Sequence, residues 1–307
     1  MNSSVAYTLS LCTHNHAERL AKTLTGLKRL RHPAASWEIL IINNASTDDT
    51  ASVLERSDWR PEGIPVRVVV ESQLGIANAR NRAMQEASGE YVLFIDDDET
   101  PDENWLVEYE KAIGEDQPDA LGGNISILFE GAERPAWLQD ELLGFIGALS
   151  YGADTRFLTA LSTPTFTGNS GFKKTSVMQI GGFDSSLGRR GHVNSGGEDT
   201  DLYRRLINAG MRVRWLEKAV IYHRIEAPKL DKRYFLDLHL RQGRMEGKRK
   251  RGTANRLPPP YLFSQLLRAF RIATGQRWRE GSNHSLRFEM NVAYFVGFLQ
   301  GWAFGQV

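Results

Sequence analysis

The chain has 307 residues, 41% of them hydrophobic and 24% charged, which excludes a disordered tail, a collagen-like fibre and a disulfide scaffold. The formal net charge is +1, so the chain as a whole carries no nucleic-acid signature. Cys12 is the single cysteine, leaving no intrachain disulfide and no four-cysteine zinc site.

Residues 1–10 show neither a basic start nor an apolar core of signal-peptide length. No apolar run reaches the roughly 18 residues of a membrane span, so the expectation is a soluble, cytoplasmic protein. Residues 7–12 read as a buried strand, followed by a helix over 17–30 with Leu20, Leu24 and Leu27 at helical spacing. Residues 38–42 form a second strand. Residues 44–49 supply turn and N-cap side chains for a short helix through Leu54. Residues 66–70 predict a third strand, 75–87 a helix, and 91–95 a fourth, almost wholly apolar strand. Such a strand is expected to be central and covered on both faces. This alternation predicts an α/β fold with a doubly wound, mostly parallel sheet. Ligands in such sheets sit at the carboxyl ends of the strands, which is where chemistry should be sought.

The fourth strand runs into Asp96-Asp97-Asp98-Glu99. Adjacent carboxylates repel one another unless water or a cation relieves them. A solvated acidic turn is the plain reading of a bare triplet. At the end of an apolar strand in an alternating chain, a hard divalent cation, Mg²⁺ or Mn²⁺, is favoured. A second cluster, Glu198-Asp199-Thr200-Asp201, follows two glycines and opens a helix marked by Leu202, Leu206 and Ile207. Carboxylates in a first turn are stabilised by the helix dipole. They can equally serve as a general base toward an attacking hydroxyl. Residues 219–222 form a short apolar strand ending at His223, a further metal-ligand candidate.

These segments, in this order, resemble the family 2 glycosyltransferases, an inverting group built on the nucleotide-sugar-binding GT-A fold. The matching pieces are Thr13-His14-Asn15, residues 43–48, Gly75 with Ala79-Arg80-Asn81, Gly89-Glu90-Tyr91 leading to Asp96-Asp97-Asp98, residues 167–172, Gly181-Gly182-Phe183-Asp184, and residues 197–202. The resemblance covers about residues 5–226. It implies that Asp98 ligates Mn²⁺ or Mg²⁺ with Asp96 in support, that His223 is a further ligand, and that Asp97 accepts from ribose hydroxyls. Thr13, His14 and Asn15 fall in the donor site, with His14 placed to stack on the base. Asn44 would read the base edge and Arg80 would lie near the diphosphate. Asp199 would be the catalytic base, with Glu198 its alternate. Asn43 departs from the family's usual aspartate. An asparagine still offers a carbonyl acceptor without the charge, so a UDP-sugar is the expected donor and GDP- or dTDP-sugars stay open.

The implied reaction moves a sugar with inversion to a hydroxyl of a saccharide or lipid-linked acceptor, in cell-surface polysaccharide synthesis. Phe166, Asn169 and Phe172 either line the sugar pocket or pack in the core. A sugar-nucleotide nucleotidyltransferase would need a glycine-rich, lysine-containing first loop, and residues 13–16 have neither residue. An inactive carbohydrate-binding module on the same fold would be favoured by loss of Asp98 or Asp199, and both are present. A retaining transferase would differ in the anomeric configuration of its product. Acceptor choice is assigned to loops over 130–151 and 189–195.

The even charge balance conceals a basic tail. Between residues 227 and 282 there are 14 Lys and Arg against 4 Asp and Glu, a local net of +10. The division expected is a body over 1–226 and a mostly helical basic extension over 227–307, with Leu257-Pro258-Pro259-Pro260 as a linker. Residues 261–274 place Leu262, Leu266, Phe270 and Ala273 on one helical face. That face could lie on anionic lipid as a peripheral attachment to the inner membrane face, pack on the body, or form a dimer contact. Basic residues alone do not argue for nucleic acid.

Overall fold

The computed structural model describes residues 5–152, 156–191, 196–251 and 257–304. The chain divides into two compact units, Met1–Ser126 with Ala148–Arg224, and Ile127–Gly147 with Ile225–Val307. The first unit opens with β1 (Tyr7–Thr13), α1 (Ala17–Leu27), β2 (Trp37–Asn44), α2 (Thr50–Glu55), β3 (Val66–Glu71), α3 (Ile76–Glu86) and β4 (Tyr91–Asp96). The apolar runs and helical periodicities predict each of these elements. β1 and β2 are buried along their whole length, as strands covered on both faces must be. β3 alternates between partly buried and exposed positions because it is the sheet edge.

There follow β5 (Glu99–Pro101), α4 (Trp105–Asp116), β6 (Ala120–Phe129), β7 (Ser170–Lys173), α5 (Lys174–Gln179), α6 (Glu198–Asn208) and β8 (Val213–Ile225). The sheet order is β3-β2-β1-β4-β7-β6-β8-β5. The β3-β2-β1-β4 portion is parallel. Beyond β4, β7 runs antiparallel to both β4 and β6, and β5 runs antiparallel to β8. β7 is only Ser-Gly-Phe-Lys, too short and glycine-bearing to register as a strand by pattern.

Register decides what shares the carboxyl edge. Cys12 of β1 lies beside Asp96 of β4, Thr13 lies beside Asn43 of β2, and Glu99 lies opposite His223. The polar residues at the ends of β1, β2 and β4 therefore lie along one edge, with Glu99 at the start of β5 paired to His223 within β8. Behind it, Phe94, Phe172 and Phe183 form edge-to-face contacts with centroids 6.0–6.1 Å apart.

The second unit holds α7 (Lys232–Arg251), α8 (Pro260–Glu280) and α9 (Leu286–Phe304). Its core joins Leu138, Leu142 and Ile146 to Ile225, Phe235, Leu286 and Met290. Residues 127–147 thus group with the basic helices. The proline run ends at the first residue of α8, where a missing N–H costs nothing. α7 and α9 touch backbone to backbone. A Cβ on Gly243 would lie 2.0 Å from the Tyr294 carbonyl oxygen, and one on Gly297 would lie 2.0 Å from that of Leu240.

Glu38 on β2 is an internal ion-pair residue, 3% exposed. Burial alone would raise its pKa. Hydrogen bonds from Arg67, the Ser88 amide and the Thr8 hydroxyl outweigh that and hold it below the usual range. Glu38→Gln is expected to lower unfolding free energy by about 1–3 kcal/mol at neutral pH. A depressed carboxylate stabilises above its unfolded pKa, and that contribution is lost as pH falls through the folded value. The gap between wild type and variant in denaturant melts should therefore narrow below the ordinary carboxylate range. A gap constant with pH would contradict the assignment.

Candidate active site

Arg80 projects from α3 into the acidic corner and is 3% exposed. Its Nη1 donates to Glu198 Oε1 at 3.0 Å and to Asp199 Oδ1 at 2.7 Å, and its Nη2 donates to Asp96 Oδ1 at 3.3 Å. One guanidinium thus joins two acidic clusters about a hundred residues apart in sequence. Burial opposes its charge, but Asp199, Asp96 and Glu198 together outweigh that and hold the proton more tightly than usual. The resemblance places Arg80 beside a diphosphate. In the fold it is held by carboxylates.

The carboxylates feel the crowding. Burial, then the charges of Asp98, Asp199 and Asp97, push Asp96 above the usual range despite Arg80. Burial and the charges of Asp96 and Asp98 push Glu99 well above it. Burial and Asp199 raise Glu198. Gly168 makes this packing possible. A Cβ there would sit 2.6 Å from Glu99 Oε1 and 2.8 Å from Asp96 Oδ2.

Asp199 lies in the first turn of α6, entered through Gly197 at φ 113°, a conformation that favours glycine. Its Oδ1 also accepts from the Thr167 hydroxyl, while Oδ2 receives only the Thr167 amide at 3.3 Å. Its side chain is 21% exposed against 10% for Glu198. Oδ2 of Asp199 is therefore the more accessible and less committed acceptor of the pair.

On the other flank, His223 Nε2 stands 3.3 Å from Asp98 Oδ2. An imidazole nitrogen and a carboxylate oxygen, both partly exposed, fit a divalent cation with mixed oxygen and nitrogen ligation. Among the described residues no three His, Cys, Asp or Glu side chains close on one point. The protein offers a pair here, and the remaining coordination positions suit phosphate oxygens and water. Arg224, next in sequence, is 5% exposed. It donates to the carbonyls of Asp97 and Glu99 and to the hydroxyls of Thr23 and Thr100. It holds the acidic turn from behind.

The donor-site residues are brought together, though several are occupied. Asp97 accepts from Thr13 Oγ1 at 2.6 Å and from His16 Nδ1 at 3.0 Å. That hydrogen bond raises the His16 pKa against the effect of burial. His14 donates through Nδ1 to the Asn44 carbonyl at 2.7 Å. Asn15, at φ 54°, accepts from the Thr47 and Asp48 amides and ties the first loop to the second. Asn44 commits its amide hydrogens to the carbonyls of Glu71 and Gln73, and its oxygen to the Gly75 amide. Asn43 uses its Oδ1 on the Ser46 amide.

Asn169 and Phe172, read from sequence as either pocket or core residues, belong to the core. Asn169 is fully buried. It accepts from Trp105 Nε1 and Tyr109 Oη and donates to the carbonyls of Asn124 and Ala219. Phe172 packs in the aromatic cluster, while Phe166 is partly buried against the core. Burial pushes the Cys12 thiol up to about 12, so it is no nucleophile. Sequence reasoning missed His16, Thr167 and Arg224. Thr167 opens the segment over 167–172, and Arg224 could have been found from its place after His223 on the opposite strand face. The loop over 189–195 is described only to residue 191, and residues 192–195 lie outside the described part.

A parallel βα core, an antiparallel continuation and an acidic edge define the GT-A fold. Residues 8–181 match the model of glycosyl transferase family 2, more than half of the chain, and the chain belongs to that family. Residues 153–229 also match the N-terminal domain of galactosyltransferase. Succinoglycan biosynthesis protein ExoM of Rhizobium meliloti is 24% identical over 250 residues, covering 80% of this chain and 76% of its own. Glycosyltransferase AglE of Haloferax volcanii is 26% identical over 116 residues, and the match spans only 38% of its length. The mannosyltransferase PcManGT of Pyrobaculum calidifontis, solved with GDP-Man and Mn²⁺, aligns over 96% of this chain and 86% of its own. The TM-score is 0.61 at 18% identity, a likeness of fold.

Replacing Arg80 by Met leaves three carboxylates facing one another. The expected loss is about 2–4 kcal/mol at neutral pH, less than for a wholly buried ion pair because Asp96 is part-exposed. Asp96 and Glu198, already above the usual range, rise further without Arg80, so the variant's folded state takes up protons and its deficit should shrink as pH falls from 8 to about 5. Urea melts at the two ends of that range measure it. Equal deficits at both would show that Arg80 does not hold these carboxylates in their charged form.

Proposed function

We propose that this protein is an inverting, metal-dependent glycosyltransferase that moves a sugar from a nucleotide diphosphate to a hydroxyl of a saccharide or lipid-linked acceptor. The observation that carries this reading is the bridge by Arg80 between Asp96 and the Glu198–Asp199 pair. It sets a donor-side acid cluster and a candidate base on one guanidinium, the separation that one transfer reaction needs. Family membership and the PcManGT complex with GDP-Man and Mn²⁺ support it.

Asp98 and His223 would hold the divalent ion, Mn²⁺ or Mg²⁺, with Asp96 and Arg80 fixing the turn beside them. The bound ion would act as Lewis acid and template for the departing diphosphate. Asp97 is held by Thr13 and His16, placed for the ribose hydroxyls. With the Asn44 amide committed inside the protein, base reading passes to Asn43. Its Oδ1 accepts from Ser46, which leaves the NH₂ to donate to a base carbonyl, while the His14 ring stands beside Asn44 for stacking. A UDP-sugar is the proposed donor, and GDP- and dTDP-sugars also carry such carbonyls.

Asp199 Oδ2 takes the proton as the acceptor hydroxyl attacks the anomeric carbon from the face opposite the diphosphate. That carbon–oxygen bond forms while the bond to the phosphate oxygen breaks, and configuration inverts. Arg80 and Thr167 hold Oδ1 and so aim Oδ2. Succinoglycan biosynthesis in the name of the ExoM relative favours a polysaccharide as the product class.

Asp199→Asn is expected to lower turnover by at least about 10²-fold with donor affinity nearly unchanged. Near-normal turnover would move the base to Glu198. EDTA is expected to abolish activity, with Mn²⁺ or Mg²⁺ restoring it, and proton NMR of the product should show inverted anomeric configuration. Full activity in chelator, or retained configuration, would contradict the proposal.

A further inference from the structure

α8 is apolar on two sides, and only one of them is covered. Leu262, Ala269 and Ala273 face inward and are buried, and Leu262 packs with Phe298 and Trp302. Of the apolar face read from sequence, Leu262-Leu266-Phe270-Ala273, Leu262 and Ala273 are spent on packing within the second unit and Phe270 stays exposed. A different stripe is open. Phe263, Leu267, Phe270 and Trp278 are 50%, 65%, 56% and 88% exposed. They recur at i, i+4, i+7 and i+15, which at 100° per residue is one side of the helix. Phe270 also borders an apolar cavity of about 350 Å³ lined by Leu236, Ala273, Val292 and Ala293.

Charge flanks this stripe. On the same helical wheel Arg268 and Arg271 fall on one edge and Arg277, paired with Glu289 of α9 at 3.3 Å, on the other, and Glu280 is the only acid in α8. The Arg251 guanidinium reaches the Ala303 carbonyl. The start of α8 and the ends of α7 and α9 thus share one end of the unit. That end gathers Lys248, Arg249, Lys250 and Arg251 with the exposed side chains of Leu257, Tyr261 and Phe304.

We propose that this face of α8 and the basic end beside it bind the surface of an anionic phospholipid bilayer, with α8 lying in the plane of the interface. Large apolar side chains edged by arginines match the acyl boundary and the charged headgroups in one surface. A second copy of the chain fits less well, because a two-fold pairing of this stripe would bring its arginine edges against each other. A nucleic acid would neutralise the arginines but leave the aliphatic part of the stripe wet. Among the described residues no helix is long and apolar enough to cross a membrane, so the contact is with one leaflet. The inference rests on the second unit alone and does not depend on the transfer chemistry.

The full chain should co-sediment with vesicles of phosphatidylcholine containing about a third phosphatidylglycerol. Binding should be at least about tenfold weaker to pure phosphatidylcholine, and weaker when salt is raised from about 0.1 to about 0.5 M. Trp278 emission should shift to the blue on anionic vesicles and be quenched by brominated lipid, and Trp278→Phe should remove that response. Phe263→Ser with Leu267→Ser, both solvent-facing, should weaken binding at least about tenfold with an unchanged thermal midpoint. Full vesicle binding by the double variant would overturn the proposal. So would a dimer by light scattering that buries Trp278 without lipid, or a Trp278 response to duplex DNA and none to vesicles.

Discussion

One buried cation, Arg80, joins the two acidic clusters of this protein, while Arg224 holds the acidic turn from behind. Arg80 is nearly inaccessible and serves Asp96, Glu198 and Asp199 at once. Two of these carboxylates open α6 and the third closes β4. Without a fixed positive charge they would repel each other at close range in a poorly solvated place. With it, Asp199 is held at Oδ1 by Arg80 and Thr167, and its Oδ2 carries a longer contact from the Thr167 amide. The cation is still too little charge for the whole corner. Asp96, Asp97, Asp98, Glu99, Glu198 and Asp199 outnumber Arg80, Arg224 and His16, and the balance of this corner is acidic beside Asp98 and His223. That excess, next to a carboxylate–imidazole pair, is what a divalent ion relieves.

The sheet delivers these groups by register. β1, β2 and β4 end within a residue of one another, so Thr13, Asn43 and Asp96 become neighbours although eighty residues separate the first from the last. The antiparallel pairing of β5 with β8 then brings His223 opposite Glu99. Small residues decide how close the parts can come. Gly168 leaves room for two carboxylates, and Gly243 and Gly297 let α7 and α9 meet through their backbones. A methyl group at any of these positions would push apart what the arrangement joins.

Much of this was legible in the chain itself. Apolar runs located β1, β2, β3 and β4, and the residues closing them gave the acidic corner. The Glu198–Asp199 turn was readable because glycines precede it and a leucine period follows. What stayed hidden depends on long-range contact. Nothing local in Arg80 shows that it answers three carboxylates, and nothing in Asn44 shows that its amide is consumed by Glu71, Gln73 and Gly75. Asn169 looked like a pocket residue because its motif lies near the site, yet Trp105 and Tyr109 claim it for the core. β7 escaped notice because four residues carry no period. α8 was read by an apolar face of which Leu262 and Ala273 pack within the second unit, so the exposed stripe of Phe263, Leu267 and Trp278 emerged only with the fold.

The proposed transfer chemistry depends on the corner beside Arg80 binding a metal and a nucleotide diphosphate together. A crystal structure with Mn²⁺ and UDP tests it most directly. The expected result is an anomalous peak between Asp98 and His223, bridged to the diphosphate, with Arg80 still joined to Asp199. A peak elsewhere, or a diphosphate seated on Arg80 with Asp199 released, would contradict it.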